Sequence, residues 1–312
     1  MTSTAPRSTL TGRRSVLAAL LGASATLLGA CAADPASPTA PVSTPPPTPR
    51  PNPTAVSSAP SSSTASAAAP QKSIPSRQTV VAAHAGKPAG AFGLEIPGIK
   101  LGLPPGARGA ALTFDACGGK HGAGYDAKLI AALRKHQAPA TLFINSRWAQ
   151  TNASLLRELI ADPLFEIANH GTSHAPLTSR GQAAYGIPGT KTVGEAYDEV
   201  VGNQHYLADE FGVEAKFFRS GTAHMDELGA AICRDVGLIP MNFTINLDAG
   251  ATFPLATVAA QTMQLGAADV GIAHFNQPSS ATSAGVARAL PGLIEKLESK
   301  NLRLLTLSAA FA

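Results

Sequence analysis

A chain of 312 residues that is 45% hydrophobic and 14% charged can bury a sizeable core, and its formal net charge is only +4. The first 31 residues hold three of the 24 lysines and arginines and no acid, so the remainder carries 21 cationic against 20 acidic side chains. A body so close to neutral argues against an electrostatic grip on a polyanion, and no nucleic-acid partner is expected.

The N-terminus reads TGRRSVLAALLGASATLLGAC: basic residues, an Ala-rich apolar run too short for a good membrane span, then small residues before Cys31. Residues 1–31 are therefore expected to be an export signal. Leu28, Gly29 and Ala30 resemble a bacterial lipobox, which implies cleavage before Cys31 and lipidation of its thiol. Arg13 and Arg14 look like a twin-arginine pair. Residues 32–82, with PVSTPPPTPRPNPT at their centre, lack the apolar area to offset the entropy of ordering and are expected to be a solvated tether. The expected location is the bacterial cell envelope, as an exported lipoprotein anchored to the membrane. With Cys31 committed to lipid, Cys117 and Cys233 remain in an oxidising compartment, joined as one disulfide or both free.

Residues 83–312 are expected to form one α/β domain. Short apolar runs, AALTF, ATLFIN, FEIAN, AKFFR, NFTINL, VGIAH and LRLLTL, alternate with amphipathic stretches such as AKLIAALRKH, TVGEAYDEVVGNQHYLADEF and GVARALPGLIEKLES. Such alternation implies about seven parallel strands with surrounding helices, in an open sheet or an incomplete barrel. Five strands deliver an ionisable residue at or just beyond the carboxyl end: Asp115, His170, Arg219, Asp248 and His274. A barrel brings those ends to one mouth, so a distorted, incomplete (β/α) barrel is the expected architecture. Asp115 ends a strand that is otherwise apolar, and a charge there requires a buried partner.

The motifs TFD (Thr113–Asp115), HGTSH (His170–His174), RSG (Arg219–Gly221), DAG (Asp248–Gly250) and IAH (Ile272–His274) follow in that order. Their order and spacing resemble the NodB-type polysaccharide deacetylases, a carbohydrate esterase family. The resemblance implies a bound divalent metal and hydrolysis of N-acetyl groups on N-acetylglucosamine polymers, peptidoglycan among them. It makes Asp115 the general base held by Arg219, His274 the general acid oriented by Asp248, and His170 and His174 metal ligands. Ligand softness suits Zn best, with Co or Ni as alternatives. Ile272 is expected to line the pocket for the acetyl methyl group.

Three departures stand out. Ala116 occupies the position of a second, metal-binding aspartate; RSGTAH lacks a proline and an aromatic residue; DAGATF lacks a tryptophan wall. The metal shell is then completed by water, the simpler expectation, or by Cys117, His121, Asp126 or His224, and an aspartate restored at position 116 is expected to tighten the site. Two readings follow: a metal-dependent deacetylase, or a catalytically weak or inactive relative that binds cell-wall glycan.

Overall fold

The structure is a computed structural model that describes residues 73–312. The expected signal with Cys31, and the tether up to residue 72, lie outside the described residues. Among the described residues no helix is long and apolar enough to cross a membrane.

Among the described residues ten strands run in chain order: β1 Phe92–Gly93, β2 Gly109–Ala116, β3 Ala140–Ile144, β4 Phe165–Asn169, β5 Phe217–Phe218, β6 Met225–Asp226, β7 Ile239–Pro240, β8 Ile245–Asn246, β9 Val270–His274 and β10 Arg303–Leu304. Seven of them form a curled parallel sheet in the order β7-β5-β4-β3-β2-β9-β8, and β10 adds in parallel to the first two residues of β2. β1 and β6 make a separate antiparallel ribbon. The two ends of the curled sheet, β7 and β8, are not paired with each other, so the barrel is incomplete. Sequence patterning finds six members of this path and β10. It misses β7, because two residues ending in proline offer no alternation to read.

β2 is buried along its whole length, as befits the middle strand of a parallel sheet. Its residues alternate between two environments. Leu112, Phe114 and Ala116 join the apolar layer under the helices Ala127–Lys135 and Thr282–Glu298, with Leu129, Leu133, Leu290 and Leu293. Ala111 faces inward with Phe143, Ala168, Phe217 and Val270. The C-terminal helix Leu307–Ala310 closes the barrel floor: the Leu307 amide donates to Thr141 Oγ1 at 2.9 Å, and Phe311 meets Phe217 edge-on with centroids 5.2 Å apart.

The expected tether boundary needs correction at its end. Residues Arg77–Ala83 are a helix, capped by Ser76, whose side chain accepts from the Thr79 amide. Val80 of this helix is buried against the long helix Val193–Phe211, in a cluster with Tyr197 and Val200. Tyr197 Oη also donates to the Pro75 carbonyl at 2.8 Å. Arg77 with Asp198 and His84 with Asp235 add polar contacts to the buried valine, so the folded chain begins before residue 83.

The outer layer should be the main source of stability. Phe114→Ala removes a fully buried ring there and is expected to cost about 3–5 kcal/mol in urea denaturation. A loss well under about 1 kcal/mol would show that this layer is not close-packed.

Candidate active site

The mouth of the half-barrel is built around a buried ion pair. Arg219 follows β5, and its Nη1 donates to Asp115 Oδ1 at 2.7 Å. The rest of its guanidinium is also satisfied. Nη2 donates to Thr113 Oγ1 at 3.0 Å and to the Asn242 carbonyl at 2.9 Å, and Nε donates to the Met241 carbonyl at 3.2 Å. The guanidinium carbon stands 4.0 Å from the centroid of the Phe143 ring. Burial pushes the Asp115 pKa upward, but the Arg219 cation, with the nearby imidazoles, outweighs it and leaves the carboxyl below its usual range. Oδ2, the oxygen that Arg219 does not take, lies 3.7 Å from His170 Nε2.

The HGTSH loop leaves the end of β4 through Gly171, whose φ is +75° and whose missing Cβ would collide with the Glu199 side chain. Glu199, on the helix Val193–Phe211, receives the loop: it accepts from Thr172 Oγ1 and Ser173 Oγ at 2.6 Å each and from the Ser173 amide at 2.9 Å. His170 Nδ1 sits 2.8 Å from the Arg219 carbonyl, which can only accept. Nδ1 therefore carries a proton, and Nε2 is the nitrogen turned toward Asp115 and Cys117. His174 has φ +63°, a left-handed conformation sparsely used by residues with a side chain. Its carbonyl fills the space where a side chain at position 221 would go, which is why RSG ends in glycine.

Cys117 follows β2, and its Sγ stands 3.9 Å from His170 Nε2. One donor atom from each of Cys117, His170 and His174 lies within 4.8 Å of the others. One thiol and two imidazoles that close together fit the donor set of a divalent metal such as zinc. Burial raises the Cys117 pKa, while His174 and His170 lower it further and leave the thiol well below its ordinary value. Both described cysteines are free, so there is no disulfide between Cys117 and Cys233.

These contacts revise the sequence reading of the metal shell. Of the four loop residues considered, Cys117 alone joins the histidines among the described residues. Asp126 caps the helix Ala127–Lys135, His121 is exposed beside a neighbouring groove, and His224 belongs to an aromatic stack. The expected gain from an aspartate at position 116 also loses its basis. Ala116 points into the apolar outer layer with Leu112 and Phe114, where a carboxylate would be buried away from both histidines.

On the opposite wall, His274 ends β9 directly beside Asp115, the two being register partners on adjacent parallel strands. Asp248 is fully buried, and its Oδ1 lies 3.0 Å from His274 Nδ1. Its Oδ2 accepts from the His274 amide at 2.7 Å and from Thr282 Oγ1 at 3.0 Å. Burial alone would lower the His274 pKa, but the Asp248 carboxylate more than offsets it and holds the imidazole well above its usual range. Asp115, His174, His274 and Ile272 all line one cleft of about 410 Å³, together with Leu94, Phe243, Asn246 and Tyr185.

Sequence reasoning did not anticipate the residues that hold these loops in place. Glu199 was one of several acids on a long helix. Its signal was position: Ala196 and Asn203, at helical spacing on either side, are both buried. Asn145 donates to the His170 and Gly171 carbonyls at 3.0 and 2.8 Å, and Asn169 Oδ1 accepts from the Gly171 amide at 2.9 Å. An asparagine at the end of an apolar strand was the available clue in both cases.

Residues 103–240 match the family model described as polysaccharide deacetylase. Solved structures share the fold. A CE4 family pseudoenzyme, BA3943 of Bacillus anthracis, is 16% identical with a TM-score of 0.55, over 68% of this chain and 68% of its own. The Bc1960 peptidoglycan N-acetylglucosamine deacetylase is 19% identical with a TM-score of 0.55, over 68% of this chain and 92% of its own. The peptidoglycan deacetylase PdaC from Bacillus subtilis is 19% identical with a TM-score of 0.51, over 67% and 92%. No curated protein matches the chain in sequence. Residues 103–240 thus form a polysaccharide deacetylase domain by their match to the family model, carried on a curled parallel sheet that the NodB-type motifs led one to expect.

Proposed function

We propose that the protein is a metal-dependent hydrolase that removes N-acetyl groups from a cell-envelope glycan, peptidoglycan or another N-acetylglucosamine polymer, while a lipid on Cys31 holds it at the membrane. One observation carries the reading. Asp115 and His274 are register partners on adjacent strands, each paired with a buried counter-charge and both facing the same cleft. A module that only binds glycan has no use for a base and an acid placed this way.

Cys117, His170 and His174 would hold the metal, which when bound supplies a Lewis acid for the acetyl carbonyl and acidifies a water. A thiolate with two imidazoles favours Zn, with Co or Ni as substitutes. Asp115 Oδ2 takes the proton from the attacking water, while Arg219 fixes the other oxygen and keeps the carboxylate ionised. His274 presents Nε2 to the cleft with Nδ1–H committed to Asp248, and it delivers a proton to the departing amine. Ile272, Leu94 and Phe243 give the cleft an apolar wall for the acetyl methyl group.

A second reading, a glycan-binding relative without turnover, is favoured by Ala116 standing in the place of the second aspartate and by the pseudoenzyme among the solved structures of this fold. Acetate release from chitin oligomers and from peptidoglycan, with and without added Zn, separates the two.

Asp115→Asn is expected to lower acetate release by about two orders of magnitude or more. It also leaves Arg219 buried without its counter-ion, so the melting temperature should fall as well. Unchanged turnover by natively folded Asp115→Asn protein would refute the assignment of the base.

His274→Ala should impair the acetamide far more than an activated ester, because an amine must be protonated to leave and a nitrophenolate need not be. Equal losses on both substrates would make His274 a structural residue.

The cobalt-loaded protein should show a near-ultraviolet thiolate-to-metal charge-transfer band that Cys117→Ser abolishes. If the cobalt-loaded wild type has no such band, Cys117 is not a ligand.

A further inference from the structure

Among the described residues, the exposed large apolar side chains are Tyr185 at 79% and Ile187 at 36%, and both line the cleft that holds Asp115 and His274. They share one tight turn. Ala184 and Ile187 exchange both backbone hydrogen bonds, at 3.1 and 2.9 Å, around the pair Tyr185 and Gly186. Both central residues are left-handed, with φ of +52° and +76°. This two-residue turn suits asparagine or glycine, and a bulky residue in its first position is strained. A strained, exposed tyrosine at the lip of an active site calls for a function.

The ring is exposed without being loose. Its neighbour is the His224 imidazole, met edge-on with centroids 5.2 Å apart at 88°. His224 is itself fixed from two sides: Phe92 of β1 stacks at 5.6 Å, and Nδ1–H donates to the Thr222 carbonyl at 2.7 Å. The segment carrying the turn is tied down too, since the Ser179 amide donates to the buried carboxylate of Asp226 at 2.7 Å and the Thr178 amide to Thr190 Oγ1 at 2.9 Å. A pre-oriented aromatic face with a hydroxyl handle, in a cleft whose third and fourth motifs supply no aromatic residue, matches a pyranose ring, which is apolar on its C–H face and hydroxylated around its edge.

We propose that Tyr185, flanked by Ile187, is the platform on which a sugar ring of the substrate packs, so that this turn selects a glycan over a small acetylated molecule. His224 and Phe92 position it. The inference rests on the reading of the cleft as a glycan site, and its test keeps the two apart.

The test compares the full chain, Tyr185→Ala and Tyr185→Trp, each loaded with Zn, on the N-acetylglucosamine tetramer and on 4-nitrophenyl acetate. Tyr185→Ala should raise KM for the tetramer about five- to tenfold with kcat little changed, leave the ester untouched, and be rescued by Tyr185→Trp. An unchanged KM for the tetramer, or an equal rise for the ester, overturns the platform. If the wild type releases no acetate from the tetramer, it is the deacetylase reading that fails. The platform is then judged by binding of the tetramer and of purified peptidoglycan. Weaker binding by Tyr185→Ala upholds it, and binding equal to wild type, or none by either protein, overturns it.

Discussion

The contact between Asp115 and Arg219 constrains both the fold and the site. Arg219 follows β5 and Asp115 ends β2, with β4 and β3 between them in the sheet. In a flat sheet those strands would lie about 14 Å apart, from a spacing of about 4.8 Å per strand. A direct 2.7 Å contact requires the sheet to curl until its inner face closes on itself. The ion pair and the half-barrel thus imply each other. The pair survives burial because each nitrogen of the guanidinium has a partner: two carbonyls, a hydroxyl and a carboxylate take four of its five protons, and Phe143 covers its face. Apolar residues of equal volume would hold the barrel as well or better, so the pair is better explained by what it does to Asp115 than by stability.

The two carboxylate pairs at the mouth push their partners in opposite senses. Arg219 keeps Asp115 ionised, whereas Asp248 keeps His274 protonated. Neighbouring groups driven apart in this way are what acid–base chemistry needs at one pH, and the register of β2 with β9 sets them side by side without any loop having to find the geometry. The thiol and imidazole cluster is different, because it depends on loops. There the precision comes from Glu199, Asn145 and Asn169, whose hydrogen bonds fix the turn that carries His170 and His174.

What the sequence disclosed, and what it hid, follows from where each signal sits. Parallel strands buried on both faces read as continuous apolar runs, so β2, β3, β4 and β9 were legible, and an acid or base at the end of such a run was conspicuous. That Asp115 needed a buried cation followed from the cost of leaving it alone, and the structure supplies Arg219. The two-residue β7 carries no period, and the helix Arg77–Ala83 has a single buried apolar residue, Val80, that a Pro- and Ser-rich stretch disguises. Glu199 was one acid among several on its helix, and the sequence does not say which of them meets a loop from another part of the chain. Cys117 stood among four candidates to complete the shell without being singled out, for a different reason. A motif read position by position looks for a replacement at residue 116, but alternation along β2 sends that side chain outward, and the donor comes from the next residue, where the chain leaves the strand.

That shift bears on whether the site turns over substrate. An alanine in place of a ligand suggests decay when taken by itself, yet the same turn sets a thiol beside the two histidines. Decay should first remove what is expensive to keep. A fully buried arginine and two buried carboxylates are costly groups in this interior, and a glycan-binding surface gains nothing from them. Asp115 and His274, in register on one cleft with Arg219 and Asp248 behind them, are what the proposed reading would need as a base on one wall and an acid on the other. On the proposed reading the thiol would be a change of ligand, softer than a carboxylate and better suited to zinc than to a harder divalent ion.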